Sequence, residues 1–230
     1  MLEEDFFSEE ISNLDQEAKA LGMGGNLSPE SDEELYKRRM RQRKEIQSKR
    51  LKIRKGGKGL VIVFTGNGKG KTTASLGMAL RTIGHGYKVA IIQFIKGSWN
   101  TGEEKALKLL SSKISWHSLG EGFTWETQDR IRDKKLVEEA WQLSKEFIKD
   151  ESYKLIILDE INIATKLGYL SPAEIINFFE SIDGRKNHIV LTGRGASQSI
   201  INYADLVTEM TLVKHPFKEQ GIKAQKCVEF

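Results

Sequence analysis

The chain has 230 residues, 39% hydrophobic and 30% charged, enough for one α/β domain with a sizeable core plus a tail, under the polar surface of a soluble protein. No run approaches the ~18 apolar residues of a membrane helix. The acidic start MLEEDFF lacks the basic region of a secretory signal, and the single cysteine, Cys227, excludes an internal disulfide and a cysteine-cluster metal site, so a cytoplasmic protein is the default expectation.

The net charge of +4 hides a local asymmetry. Residues 1–34 carry eleven acidic side chains against one lysine, and residues 35–58 carry twelve Lys or Arg against the single acid Glu45. The first stretch, rich in Gly, Ser and acids with no sustained apolar period, reads as a disordered or loosely attached extension. The second reads as a basic helix or arm. Its composition suits a helix over 36–55, with Met40, Ile46 and Ile53 as sparse apolar positions, marginal unless it docks on something. Such a block serves as a nucleic-acid or phosphate-binding arm, as a solvated helix face or linker, or as a cover for an anionic ligand. "KGGKG" (55–59) reads as a flexible break, and a compact domain follows over 59–230.

From Leu60 the alternation is regular. "LVIVF" (60–64), "KVAIIQF" (88–94), "KLIILDE" (154–160), "HIVLTG" (188–193) and "DLVTEM" (205–210) are strand candidates. Between them, the stretch after the first strand is helix-compatible. Residues 129–149 place Leu136, Val137, Ala140, Trp141, Leu143, Phe147 and Ile148 at helical spacing. "SPAEIINFFESI" (171–182) has Ser171 in the N-cap role and Pro172 at the first helical position. Continuous apolar strands separated by amphipathic helices predict a three-layer α/β fold of the P-loop NTPase (RecA-like) kind, a mainly parallel sheet covered by helices.

The first strand runs into "TGNGKGKTT" (65–73), a phosphate-loop pattern with Thr65 where glycine is usual. Gly66, Gly68 and Gly70 let backbone N–H groups approach an anion, flanked by Asn67 and Lys69, and the next helix adds its positive end. Lys71 supplies a point charge, and the hydroxyl of Thr72 or Thr73 can ligate Mg²⁺ or Mn²⁺. The apolar strand ending in Asp159 and Glu160 supplies a carboxylate to complete the metal shell, at the end of a parallel strand where a crevice forms. Spacing leaves open which of the two holds the metal. Many chemistries share this loop, so it secures phosphate binding and not the reaction.

The rest of the chain narrows the reaction. "VFTGNGKGKTTASLGMALRTIGHGYKVAIIQFIKG", "GEGFTWETQDR", "LDEINIATKLGYL", "TGRGA", "ADLVTEM" and "VKHPFKEQGIKAQKCVEF" occur in order. Together they closely resemble the P-loop type of cob(I)alamin (corrinoid) adenosyltransferase, from about Leu60 to Phe230. The resemblance implies a transferase that moves the 5′-deoxyadenosyl group of ATP to Co(I) of a reduced corrinoid, cobalamin or another, and releases triphosphate, in adenosylcobalamin biosynthesis or salvage. It implies an ATP reversed in the loop, with Thr at the first loop position as part of that variant. It implies that Phe123 and Trp125 pack on the lower corrin face and exclude the axial ligand, easing reduction of Co(II). Without the resemblance, these two aromatics read as one face of a half-buried strand.

The resemblance further places Arg194 on the nucleotide phosphates, Asn67 on the nucleotide and residues 214–225 at the closing of the site. Arg81 either reaches the site or pairs on the first helix. An electron donor such as a reduced flavoprotein, and a homodimer in which the basic N-terminal helix covers the neighbour's corrinoid site, are also implied. Co(I) is the nucleophile and loses no proton, so no general base is needed; Lys71, the metal and the loop N–H groups stabilise the leaving triphosphate. His85, His117, His188 and His215 share no metal-ligand spacing. The competing expectations are a generic P-loop ATPase or small-molecule kinase, and a nucleic-acid-stimulated ATPase, which the lack of a basic stripe in the compact domain disfavours.

Overall fold

The computed structural model describes residues 31–53, 57–95, 102–120, 129–182 and 184–228. The chain divides into a unit of residues 1–56 and a unit of residues 57–230.

In the first unit, α1 (Asp32–Ile53) begins earlier than the composition suggests. Ser31 and Glu34 form a capping box: Glu34 N–H donates to Ser31 Oγ at 3.3 Å, and Ser31 N–H donates to Glu34 Oε2 at 3.1 Å. Asp32, Glu33 and Glu34 then sit against the positive end of the helix. Leu35, Met40 and Ile46 are half-buried, and the other described side chains of residues 32–49 are exposed.

The second unit is a six-stranded sheet of order β3-β2-β4-β5-β1-β6 with every neighbouring pair parallel. Its strands are β1 (Val61–Thr65), β2 (Lys88–Gln93), β3 (Ile114–Ser118), β4 (Tyr153–Asp159), β5 (His188–Thr192) and β6 (Leu206–Glu209). Its helices are α2 (Lys71–Gly84), α3 (Gly102–Leu110), α4 (Arg130–Lys149), α5 (Ile161–Lys166), α6 (Pro172–Glu180), α7 (Gln198–Tyr203) and α8 (Pro216–Gln220). The strand period of two splits the core into two layers. Val63, Ala90, Ile92, Ile156, Leu158 and Leu191 meet Trp141 of α4, Ile175 and Phe179 of α6 and Ile200 of α7. The alternate residues Ile62, Phe64, Val89, Ile91, Ile157 and Val190 meet Leu76 and Ala79 of α2. The three-layer α/β expectation holds, and the strands that read as continuous apolar runs are those buried on both faces.

Several details differ from the sequence reading. α3, α5, α7 and α8 are short or weakly patterned, and β3 is a half-buried edge strand whose ISWHS carries no apolar run. Ser171 occupies the N-cap position of α6 but makes no side-chain cap bond, whereas Asp129 caps α4 by accepting from Arg132 N–H at 3.1 Å. The supposed flexible break ends before Gly59, which is buried and donates its N–H to Arg185 O at 3.0 Å. A Cβ there would lie 2.2 Å from Asn187 O, so only glycine lets these two backbones approach.

Beneath the sheet, at the amino ends of β1 and β5, Asp205 Oδ2 accepts from Val61 N–H at 2.9 Å and Leu60 N–H donates to His188 Nδ1 at 3.1 Å. Burial pushes the His188 ring below its ordinary value, helped by Lys154 and Arg185. Burial would raise the Asp205 carboxyl, but hydrogen bonds from Lys58 and Val61 hold it below the usual range. These groups pin the bottom of the sheet, and the carboxyl ends of the strands gather at the opposite edge.

Candidate functional site

At that carboxyl edge the chain leaves β1 and turns through residues 66–70 into α2. Gly66 (φ 91°) and Gly70 (φ 102°) adopt left-handed backbone that other residues avoid. The loop is stitched to the chain after β6: Gly68 N–H donates to Met210 O at 2.6 Å, and Met210 N–H donates to Thr65 O at 2.9 Å. A Cβ on Gly66 would lie 2.5 Å from Met210 O, and one on Gly68 2.6 Å from the same atom. Close backbone approach therefore fixes glycine at positions 66 and 68, and left-handed backbone fixes it at 66 and 70.

Thr65 stands in the first loop position with a use for its hydroxyl. Its Oγ1 accepts from Ala196 N–H at 3.2 Å, tying the start of the phosphate loop to the loop that carries Arg194. A glycine at this position has no atom to make that tie.

Lys71, 8% exposed, folds its ammonium into the curve of the loop and donates to Gly66 O at 2.8 Å and to Gly68 O at 2.5 Å. Gly70 is the N-cap of α2 and offers no side-chain cap, so the helix presents its first N–H groups toward the loop. Asn67 and Lys69 are exposed at the rim.

Beside the loop lies Asp159, at the end of β4 and 1% exposed. Thr72 Oγ1 donates to Asp159 Oδ1 at 3.0 Å, Thr192 Oγ1 donates to the same oxygen at 2.7 Å, and Gln93 Nε2 donates to Oδ2 at 3.1 Å. Thr73, by contrast, is exposed. Glu160 follows in a left-handed conformation (φ 63°) that non-glycine residues seldom adopt, and its N–H donates to Thr192 Oγ1 at 3.0 Å. Its Oε2 lies 3.2 Å from where a Cβ of Gly193 would stand, so the carboxylate faces the Gly193–Gly195 turn.

That turn holds Arg194 exposed, between Gly193 (φ 125°) and Gly195 (φ 73°). Gly193 N–H donates to Phe64 O at 3.2 Å, and Asn162 Nδ2 donates to Gly193 O at 3.4 Å from a fully buried position. Arg194 and Asn67 line a cleft of about 590 Å³ together with Glu209 at the end of β6 and Thr211, His215 and Lys218 of the C-terminal segment.

The structure thus brings together Thr65, Gly66, Asn67, Gly68, Lys69, Gly70, Lys71, Thr72, Asp159, Glu160 and Arg194 on one edge. Arg81 lies exposed in the last turn of α2. Ten residues separate it from Lys71, about 15 Å along the helix axis, so it is carried away from the loop. Phe123 and Trp125 lie outside the described residues. Gln93, Ser118, Asn162 and Thr192 belong to the site and escaped the sequence reading. The signal for Gln93 and Thr192 was present: each is a polar residue ending an apolar buried strand.

The donor set suits a small hard cation. Hydroxyl and carboxylate oxygens converge beside a phosphate-binding turn, which is the arrangement by which a Mg²⁺-sized ion is held by one or two protein oxygens, substrate phosphates and waters. Among the described residues no group of three or more His, Cys, Asp or Glu forms an all-protein cage.

Residues 57–230 match the family model described as ATP:corrinoid adenosyltransferase BtuR/CobO/CobP. The chain is 46% identical over 209 residues to a corrinoid adenosyltransferase of Sinorhizobium sp, covering 90% of this chain and 97% of that one. It is 46% identical over 207 residues to one of Pseudomonas aeruginosa (89% and 100% covered) and 37% identical over 198 residues to one of Escherichia coli K12 (86% and 99% covered).

Proposed function

The chain belongs to the ATP:corrinoid adenosyltransferase family, and on that premise we propose how its residues move the 5′-deoxyadenosyl group of ATP to the Co(I) of a corrinoid with release of triphosphate. The observation that carries the assignment of roles is the adjacency of two half-sites. The buried Lys71 ammonium lies inside a glycine turn, and the next residue, Thr72, is already hydrogen-bonded to Asp159.

The bond that forms is cobalt to C5′; the bond that breaks is C5′ to the triphosphate oxygen. The electron pair comes from Co(I), and no proton leaves the nucleophile. What the protein supplies is orientation and stabilisation of the growing charge on the leaving triphosphate. Lys71 and the loop N–H groups other than that of Gly68, which is held by Met210 O, take that charge, with Asn67 and Arg194 at the rim on the nucleotide and its phosphates. Thr65 holds the two rims in register through Ala196.

Thr72 and the carboxylates of Asp159 and Glu160 are the residues that would hold Mg²⁺ or Mn²⁺, which when bound offsets charge on the triphosphate. Asp159 accepts from Thr72, Thr192 and Gln93, so it acts through the Thr72 hydroxyl, accepting its hydrogen bond and so turning the oxygen lone pairs toward the cation. Glu160, half-buried with its carboxylate against Gly193, is the second carboxylate on this edge.

Phe123 and Trp125 serve the lower corrin face and exclude the axial ligand, so that an electron donor such as a reduced flavoprotein can deliver Co(I). The active form is a cytoplasmic homodimer in which α1 covers the corrinoid of the neighbouring subunit. Phosphorus NMR of the products tests the reading. Triphosphate formed only when reduced corrinoid is supplied supports it, and ADP released from ATP without corrinoid overturns it.

A further inference from the structure

Ser118, Gln93, Asp159 and Thr192 form a row across four neighbouring strands at the carboxyl edge. Gln93 is the register partner of Ser118 on β3 and of Asp159 on β4, and the pair Leu158–Leu191 places Asp159 beside Thr192 on β5. The hydrogen bonds along this row converge on the carboxylate. Ser118 Oγ donates to Gln93 Oε1 at 2.7 Å, Gln93 Nε2 donates to Asp159 Oδ2 at 3.1 Å, and Thr192 Oγ1 donates to Asp159 Oδ1 at 2.7 Å.

The direction of the Gln93 amide is fixed from outside the site. Trp116 Nε1 also donates to Gln93 Oε1, at 3.3 Å, and an indole N–H can only donate. Reversing the amide would set its NH₂ against that N–H and leave a carbonyl against the Asp159 carboxylate. The edge of the sheet at β3 therefore dictates that Gln93 presents N–H groups to Asp159. Gln93 itself is 3% exposed, so this is a dry, short-range constraint.

We propose that Gln93 is a positioning residue for the metal of the nucleotide: by holding Oδ2 of Asp159 it fixes the carboxylate plane that leaves Oδ1 to the Thr72 hydroxyl, and so aims Thr72 at the cation. The inference rests on the reading of Thr72 and Asp159 as the metal half-site. It goes beyond it in assigning the orientation to a residue separated by two strands, β4 and β5, from the strand that carries the phosphate loop, supported by Trp116 and Ser118 at the edge.

The experiment measures ATP affinity calorimetrically in the full chain, with and without Mg²⁺, for the unaltered protein, Gln93→Met and Ser118→Ala. Methionine keeps the length of the side chain and removes all three of its hydrogen bonds. In Gln93→Met the metal-free Kd is expected within about twofold of the unaltered value, while the gain on adding Mg²⁺ shrinks about tenfold or more, the usual cost of losing an outer-shell partner. Ser118→Ala, which leaves every atom touching Asp159 in place, is expected to lose a smaller part of that gain; it reads the same effect if Gln93→Met does not fold. A full Mg²⁺ gain in Gln93→Met, or an equal loss with and without metal, overturns the proposal, as does an unchanged gain in Ser118→Ala. If the unaltered protein binds ATP with no gain from Mg²⁺, the metal half-site itself is wrong, an outcome separable from a failure of Gln93 alone.

Discussion

Gly68→Ala is the sharpest steric test of the phosphate loop. A Cβ at Gly68 would lie 2.6 Å from Met210 O, 2.8 Å from Met210 C and 2.8 Å from Thr211 O, where ordinary contact begins at 3.4 Å. All three atoms are backbone, so no side chain can swing aside; the loop and the chain after β6 must separate by about 0.8 Å, the difference between 3.4 and 2.6 Å. Overpacking of this kind costs about 1–3 kcal/mol, and the Gly68–Met210 hydrogen bond lost with it about 0.5–1.5 kcal/mol. At roughly 2–4 °C per kcal/mol for a domain of this size, the melting temperature should fall by about 3–18 °C. ATP affinity should fall at least tenfold, because the N–H groups that face the phosphates move with the loop. Thermal melts and ATP calorimetry on Gly68→Ala read both effects. Gly77→Ala is the control: a Cβ there meets nothing within 4 Å, and a helix-interior alanine is expected to stabilise by about 0.5–1 kcal/mol. A Gly68→Ala protein that melts within 1–2 °C of the unaltered one and keeps its ATP affinity would refute the close-approach argument.

Lys71→Ala should leave the fold intact and lower kcat/KM for adenosyl transfer by about 10²–10³, the cost of removing one preorganised donor to developing charge; a loss below tenfold would remove Lys71 from the chemistry. Burial holds both His117 and His188 below their ordinary value of 6.5, with Lys108 adding to the first and Lys154 and Arg185 to the second. The folded chain therefore favours the neutral rings and the unfolded chain takes up protons first. Stability is full above about pH 6.5 and falls as the pH drops below it. Denaturant melts from pH 8 to 5 should show this decline, and His117→Gln combined with His188→Gln should flatten it; a decline of equal size in the double variant contradicts the assignment. Trp125→Ala should impair the assay started from Co(II) more than the assay given prereduced Co(I), and equal losses would end the axial-exclusion role.

The strands with two buried faces were legible because a parallel sheet under helices demands uninterrupted Val, Ile and Leu, and "KVAIIQ" and "LIILD" obey that demand. The phosphate loop was legible because its glycines serve backbone geometry that no other residue satisfies. β3 and α3 were not, since an edge strand buries only part of its surface and a nine-residue helix has few turns in which to show a period. The start of α1 was misplaced although "SDEE" carries a capping box, because local acidity was read as extension rather than as helix N-terminus. Gln93 and Thr192 escaped for a different reason. Their role comes from standing beside Asp159 on adjacent strands, and neighbours in a parallel sheet are far apart in the chain. Glu160 could not be separated from Asp159 by spacing; the left-handed turn after β4 separates them, sending one carboxylate to Thr72 and the other toward Gly193.

The most direct measurement of the central claim follows a carbon label. ATP carrying carbon-13 at C5′ is incubated with the protein, Mg²⁺ and reduced corrinoid, and the recovered corrinoid is weighed by mass spectrometry while phosphorus NMR counts the products. The corrinoid should gain one labelled adenosyl group for each triphosphate released. Unlabelled corrinoid recovered beside ADP would contradict it.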